Sequence, residues 1–407
     1  MKTHMKNTCD SLSPLTWLLK LFVMNCNINP EETYSKTRYL IKAAFILTLF
    51  CSLSIFSLYY KMLYVYNIII TSIRITDTVQ TIYDQCQYAV DLWFIYKYGR
   101  NISIEYFKQY ERFDSIVGMS YFSEIKKKLL RIVITFIIIW LITSVFDYAA
   151  WIWSYGVLIP SMYCISYIFL LIKITTTLDL TSHVIQIEVR LRIIADIIEN
   201  YYLKTEASSG NLIEPIRCRG WQKKSTSSPL RLTIDISKIA CNDEDSEIKL
   251  LKRCYLLLNN QVEFINQIFG FRILLNSLSL LIDMVRFINI AVRLMIGSQQ
   301  TLYYSGCFPV LANIMRFLTC ASVLISLVNH CENVYREKER ILKTIDLLIV
   351  FKKPGEKLRG AMIDLRQLVQ DRPIVFNMSN FIILNNGFLL SIASVVATYT
   401  IILLQST

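Results

Sequence analysis

Strongly apolar runs recur along this chain at 43–60, 129–151, 161–180, 308–328 and 385–407, and another lies within 264–296. Each approaches or exceeds the roughly twenty residues a helix needs to cross a ~30 Å hydrocarbon layer. A seventh stretch, 78–98, holds Asp84, Gln85, Gln87 and Asp91 and is too polar to qualify by hydropathy. It is kept as the second span because the basic segment after it must return to the side of the N-terminus. So polar a span is expected to face protein or a water-filled cavity. Seven helical spans make the expected fold class all-α, a polytopic membrane protein.

The segments between the runs set the organisation. Residues 1–42 form a basic N-terminal segment, and 43–328 carry spans one to six. Within them, 203–247 is rich in Ser, Gly, Lys and acidic residues and reads as a mobile loop. Residues 329–383 are charged but helical in pattern, with Leu342, Ile345, Leu348 and Ile349 forming an apolar stripe. Residues 384–407 are the seventh span. A polar start and a short apolar run at 17–24 without a small-residue cleavage pattern predict no cleavable leader. That run is expected at the membrane surface or against the ends of other helices.

Composition agrees: 54% of residues are hydrophobic and the mean hydropathy is +0.41. The net charge of +12 lies in the connecting segments, so it predicts no nucleic-acid partner and bears on orientation instead. Segments on the N-terminal side hold 36 Lys and Arg, whereas the opposite loops hold two, Lys61 and Arg74. The positive-inside rule then predicts a cytosolic N-terminus and, after seven spans, an extracellular C-terminus. This is inverted relative to a G-protein-coupled receptor, and the chain lacks Asp-Arg-Tyr after the third span and Asn-Pro-x-x-Tyr in the last. The sequons at Asn101 and Asn377 fall on the cytosolic side and are expected to stay unglycosylated.

No catalytic or metal motif stands out. There is no hydrolase elbow, Walker loop or His-Glu-x-x-His, and His4, His183 and His330 are dispersed. The eleven cysteines contain no Cys-x-x-Cys, and Cys218 and Cys241 in the polar loop are expected as free thiols. An enzyme is not expected, nor a cofactor or metal.

The last run is uncharged from Asn385 onward but interrupted by Ser391, Ser394, Thr398, Thr400, Gln405 and Ser406. Thr398, Ile402 and Gln405 recur at helical spacing on one face. Periodicity leaves two readings: hydroxyls bonded to their own or a neighbouring helix, or a face turned to water.

Three motifs narrow the choice. Thr398-Tyr399, five mostly aliphatic residues and Gln405 close the chain; Arg372-Pro373-Ile374-Val375-Phe376 precedes the last span; Asn266-Gln267-Ile268-Phe269-Gly270 lies in the fifth. Together they resemble the signature of insect gustatory receptors. The chain departs at Ser406, where the family usually has Phe, and at Asn380-Phe381-Ile382, where it usually has Gly-Phe-Phe. The resemblance implies a ligand-gated, nonselective cation channel of four subunits in a membrane of lipid, opened by a small soluble tastant such as a bitter plant compound or a sugar.

On that reading Ile402 forms an apolar gate, Gln405 a polar ring beside it, and Thr398 the same pore face. A ligand pocket is expected between the outer halves of spans two to six. Its candidates are Tyr83, Asp84, Gln87 and Tyr88, then Asp147 and Trp151, then Tyr163 and Tyr167. Asp283 and Arg286 follow on the fifth span, and Asn313, Arg316 and Phe317 on the sixth. The competing reading is internal pairing: Asp283 with Arg286 on one helix, or Arg316 with Asp84 or Asp147. The charged stretch 329–383 is expected to bring the subunits together below the membrane, as homo- or heterotetramers. An odorant-receptor-type subunit is the alternative within the architecture, and a G-protein-coupled receptor or transporter lies further off.

Overall fold

The computed structural model describes residues 12–25, 36–67, 69–117, 121–208, 244–297, 299, 306–352 and 354–405. Its helices are α1 (Ser13–Leu21), α2 (Lys36–Tyr60), α3 (Thr71–Val117), α4 (Phe122–Tyr155), α5 (Leu158–Met162), α6 (Cys164–Ser208), α7 (Glu244–Ile296), α8 (Phe308–Lys352), α9 (Glu356–Asp371) and α10 (Asn386–Gln405). A two-stranded hairpin, β1 (Asn377–Met378) with β2 (Ile382–Ile383), precedes α10. Among the described residues the fold is all-α apart from this hairpin. Among the described residues, five helices are long and apolar enough to cross a membrane: α2, α4, α6, α7 and α8. Helix α3 and the shorter apolar helix α10 bring the bundle to seven.

Helix α6 is the centre. Packed on α7, α8 and α4, it has 78% of its apolar window buried, against 28% for α4. Lipid-facing side chains need no partner, so outer helices can be uniformly apolar. The middle helix contacts mostly protein and holds Lys173, Asp179, His183, Glu188 and Arg190 without exposing them. Helix α7 runs 53 residues, about 80 Å at 1.5 Å per residue. With α8 it therefore extends well beyond a ~30 Å hydrocarbon layer on the basic side.

Of the two places expected for the N-terminal apolar run, the structure shows packing on other helices: it is helix α1, with Leu15, Leu18 and Leu19 buried against α4 and α6. Several other sequence expectations change here. The second span is far longer than 78–98, because α3 begins at Thr71 and continues to Val117. Lys61 and Arg74 are not loop residues. Lys61 sits in a π-helical turn that ends α2, fully buried, and Arg74 donates to the carbonyl of Tyr66 from the first turn of α3. The loop expected at 203–247 lies outside the described residues except for its helical ends at 203–208 and 244–247, as do Cys218 and Cys241. The stripe in 329–383 is spent inside the chain: Ile345 and Leu348 are buried in the core with Met362, Leu365 and Val369 of α9.

The motifs of the fifth span and of 372–376 meet at the hairpin. Asn266 and Gly270 lie one turn apart on α7. Asn266 Nδ2 donates to the Val375 carbonyl at 2.8 Å, and its Oδ1 accepts from the Asn377 amide at 3.1 Å. A Cβ on Gly270 would lie 2.8 Å from the Ser379 nitrogen and 3.2 Å from the Asn377 carbonyl, so only glycine admits the strand this close. Tyr335 Oη on α8 accepts from the Phe376 amide and donates to the Leu384 carbonyl. Ser379 and Asn380 have φ of +53° and +61°. Asparagine tolerates that left-handed region better than most residues, which explains how Asn380 serves where a glycine is usual.

Candidate functional site

Away from the basic side, α3, α4, α6, α7 and α8 converge on a cavity. Its wall includes Val65, Ile69, Ile73 and Asp77 from the entry to α3, Asp147, Trp151 and Tyr155 from α4, and Tyr163, Ser166 and Tyr167 at the start of α6. Arg286, Phe287 and Ile290 of α7 and Asn313 and Arg316 of α8 close it. Asp147, Trp151 and Tyr155 recur every fourth residue and so share one helical face. Gly156, at φ +79°, ends α4 directly beyond them. The cavity volume is about 60 Å³, room for about four waters at ~15 Å³ each. Small-molecule sites commonly offer ~300–1,000 Å³, so the cavity as it stands is smaller than such a site.

Two ion-pair clusters organise the wall. Asp147 accepts from Arg316 Nη1 at 3.2 Å and Tyr167 Oη at 2.8 Å through Oδ2, and from Trp151 Nε1 at 2.9 Å through Oδ1. The Arg316 guanidinium also lies over the Tyr167 and Phe287 rings, 4.5 and 4.9 Å from their centroids. Asp77 accepts from Arg286 Nη1 at 2.9 Å, Lys61 Nζ at 3.0 Å and Tyr66 Oη at 2.9 Å. The Lys61 ammonium stands 3.7 Å over the Tyr163 ring. Each cation is thereby both paired and stacked, which offsets removing it from water.

Of the thirteen ligand candidates read from the sequence, seven line this cavity: Asp147, Trp151, Tyr163, Tyr167, Arg286, Asn313 and Arg316. Six do not. Asp84 pairs with Lys173 at 2.8 Å, which also holds Asp283 at 2.5 Å, one layer deeper. Gln87 donates to Asn276, Tyr83 to the Leu275 carbonyl and Tyr88 to the Phe22 carbonyl. Phe317 faces a groove beside α10. The register explains the shift: with α3 starting at Thr71, the acid nearest its outer end is Asp77, and 83–88 lie further down. Asp77, Lys61, Tyr155 and Gln299 were missed. The heptad spacing of Asp77, Asp84 and Asp91 was the available signal for the first.

Of the pore candidates, Thr398 and Ile402 are exposed, and so is Gln405. Helix α10 leans on α7 and α8 through Phe388, Val396 and Thr400, leaving the 398–402–405 face turned away from its own bundle. Among the described residues no group of three His, Cys, Asp or Glu side chains could hold a metal ion.

The profile of the 7tm chemosensory receptor family matches residues 12–407. The chain belongs to this family. The fold of this chemosensory receptor is similar to the olfactory receptor OR5 of the insect Machilis hrabei, with a TM-score of 0.58 and 12% identity, covering 98% of this chain and 100% of that one. The same olfactory receptor in complex with eugenol gives a TM-score of 0.53 at 12% identity over the same shares. No curated protein sequence matches. The chemosensory receptor is thus a multi-pass, seven-helix membrane protein with the fold of an insect olfactory receptor.

Proposed function

We propose that this receptor is a taste receptor of the gustatory type, acting as a ligand-gated, nonselective cation channel in the plasma membrane of a sensory dendrite. A small soluble tastant enters the cavity. Four subunits, of this chain alone or with related ones, place their α10 helices around an axis, with Ile402 as the gate and Gln405 as the ring beside it. The observation that carries this reading is the outward Thr398–Ile402–Gln405 face on an uncharged helix. The chain's own bundle leaves that face uncovered, and hydrocarbon gives its amide and hydroxyl no partner.

Coupling has a short path. Arg286 and Phe287 line the cavity while Met284 and Ile288 of the same helix back α10. On α8, Arg316 lines the cavity and its neighbour Phe317 backs α10. A ligand larger than the cavity must move these helices, and α10 rests on both.

An odorant-receptor-type subunit is the second reading, favoured by the fold of OR5. The Thr398-Tyr399…Gln405 ending supports taste. The test is orientation: tags before Met1 and after Thr407, stained on intact and then permeabilised cells. Surface staining of the C-terminal tag alone is expected. A cytosolic C-terminal tag would remove the pore assignment and favour a G-protein-coupled receptor.

A further inference from the structure

The cavity's hydrogen-bond ledger states what kind of molecule it can take. Both carboxylates in its wall are already paired with cations. Asp77 and Asp147 each accept from three donors, and each has both oxygens engaged. An organic cation that sought either carboxylate would have to displace Arg286, Lys61 or Arg316. The displaced cation would then lose its nearest counter-charge while still buried, which is worse than the starting state.

The unmet demand has the other sign. Among the described residues lining the cavity, the buried side-chain atoms without a hydrogen-bond partner are both donors, Arg286 Nε and Arg316 Nε. Neither side chain is more than a few per cent exposed. An orphaned buried donor is costly, and a ligand oxygen that meets it recovers that cost. The wider network is neutral: Asp77, Asp84, Asp147 and Asp283 match Lys61, Lys173, Arg286 and Arg316. A ligand carrying its own charge would unbalance it. Trp151, Tyr155, Tyr163, Tyr167 and Phe287 supply flat apolar faces.

Resting on the reading of this cavity as the tastant site, we infer that it is built for an uncharged, oxygen-rich ligand bearing a ring face, such as a glycoside or phenol. Its ether, hydroxyl or carbonyl oxygens meet the Arg286 and Arg316 Nε–H groups. The carboxylates, already paired with the protein's own cations, make it reject cationic alkaloids.

A matched trio of phenyl compounds tests this on the purified full-length protein in lipid nanodiscs. The probes are phenyl β-glucoside, phenyltrimethylammonium and benzoate, read by tryptophan fluorescence against Trp151→Phe as the site control. The glucoside is expected to give a saturable change that vanishes in Trp151→Phe, with the cation and the anion each at least about tenfold weaker. Arg316→Lys keeps the charge but removes the Nε–H, and should weaken the glucoside by roughly three- to tenfold. A Trp151-dependent signal with either ion binding as tightly as the glucoside would overturn the ligand class while leaving the cavity as a ligand site. Signals that persist in Trp151→Phe, or no signal from any of the three, would overturn the cavity assignment and the ligand class with it.

Discussion

Helices α3 and α10 both belong to the bundle, and they treat polarity in opposite ways. Along α3, Asp77, Gln80, Asp84, Gln87 and Asp91 recur at alternating steps of three and four, all of them buried. They face Arg272, Asn276, Ser279, Asp283 and Arg286 of α7, spaced the same way and also buried. The pairing runs antiparallel in constant register: Asp91 with Arg272 at 2.7 Å, Gln87 with Asn276 at 2.7 Å, Asp84 with Ser279 at 2.9 Å and Asp77 with Arg286 at 2.9 Å. Every step down one helix is matched by an equal step up the other. This is the spacing of a coiled-coil seam with its apolar residues replaced by charges and amides. Helix α10, in contrast, carries no charge in its 20 residues and turns Thr398, Ile402 and Gln405 outward. The first helix uses polarity to fix its position within the chain. The second leaves its polarity unspent by the chain that carries it.

The largest effect should come from breaking the seam on one side. Arg272 is buried between Asp91, 2.7 Å away, and Asp179, 3.9 Å away. Arg272→Ala leaves two buried carboxylates and should cost about 3–5 kcal/mol. The expected outcome is loss of the monodisperse peak in size-exclusion chromatography of detergent-solubilised protein. Replacing two members, Asp91→Leu with Arg272→Met, should recover part of the peak, because it removes one of the two unpaired charges and leaves only Asp179 without its cation. Equal losses in the single and double variants would mean that the seam acts through shape and not through charge.

Next comes Gly270. Alanine there puts a Cβ 2.8 Å from the Ser379 nitrogen and should cost about 1–3 kcal/mol as the hairpin is pushed off α7. Thermal melts in detergent would register it. Asn266→Ala, which removes two bonds to the same hairpin, should cost about 1–2 kcal/mol. The effects of the two should not add, since both loosen one contact.

How much of this was legible follows from the same contrast. Apolar runs report themselves, so α2, α4, α6, α7 and α8 were placed from hydropathy, and the seven-helix class followed. Helix α3 was recognised as a span that must face protein or a water-filled cavity, but its start was placed seven residues late. That error put Asp84 and Gln87 at the cavity and left Asp77 in a loop. Its cause is physical: a polar seam has no hydropathy edge, and its ends show only in the register of its partner. Lys173 and Lys61 were invisible for a related reason. A lysine in an apolar run reads as a flaw or a boundary until the acid it meets on another helix is known, and Asp84 and Asp77 are distant in sequence. The fifth-span motif was recognised as a signature, but its work of docking a hairpin through Asn266 and Gly270 required the hairpin.

The smallest effect on stability sharpens the comparison most. Ile402 is 51% exposed, and an exposed side chain away from special features changes folding by about 0.5 kcal/mol or less when truncated. Ile402→Ala should therefore melt with the parent protein, unlike any change in the α3–α7 seam. If the outward face of α10 lines a pore, the same truncation widens an apolar constriction that holds back water. It should then raise the basal current or change the evoked one, recorded from cells expressing the full chain. Unchanged currents with unchanged melting would make the face of α10 a lipid contact and leave Gln405 without a role. A lowered melting point with altered current would instead mean that Ile402 packs within the assembled receptor, so that its effect on conduction is indirect. Only an unshifted melt with a shifted current assigns Ile402 to the conducting path, because it separates a residue that the fold does not need from one that the open and closed states distinguish.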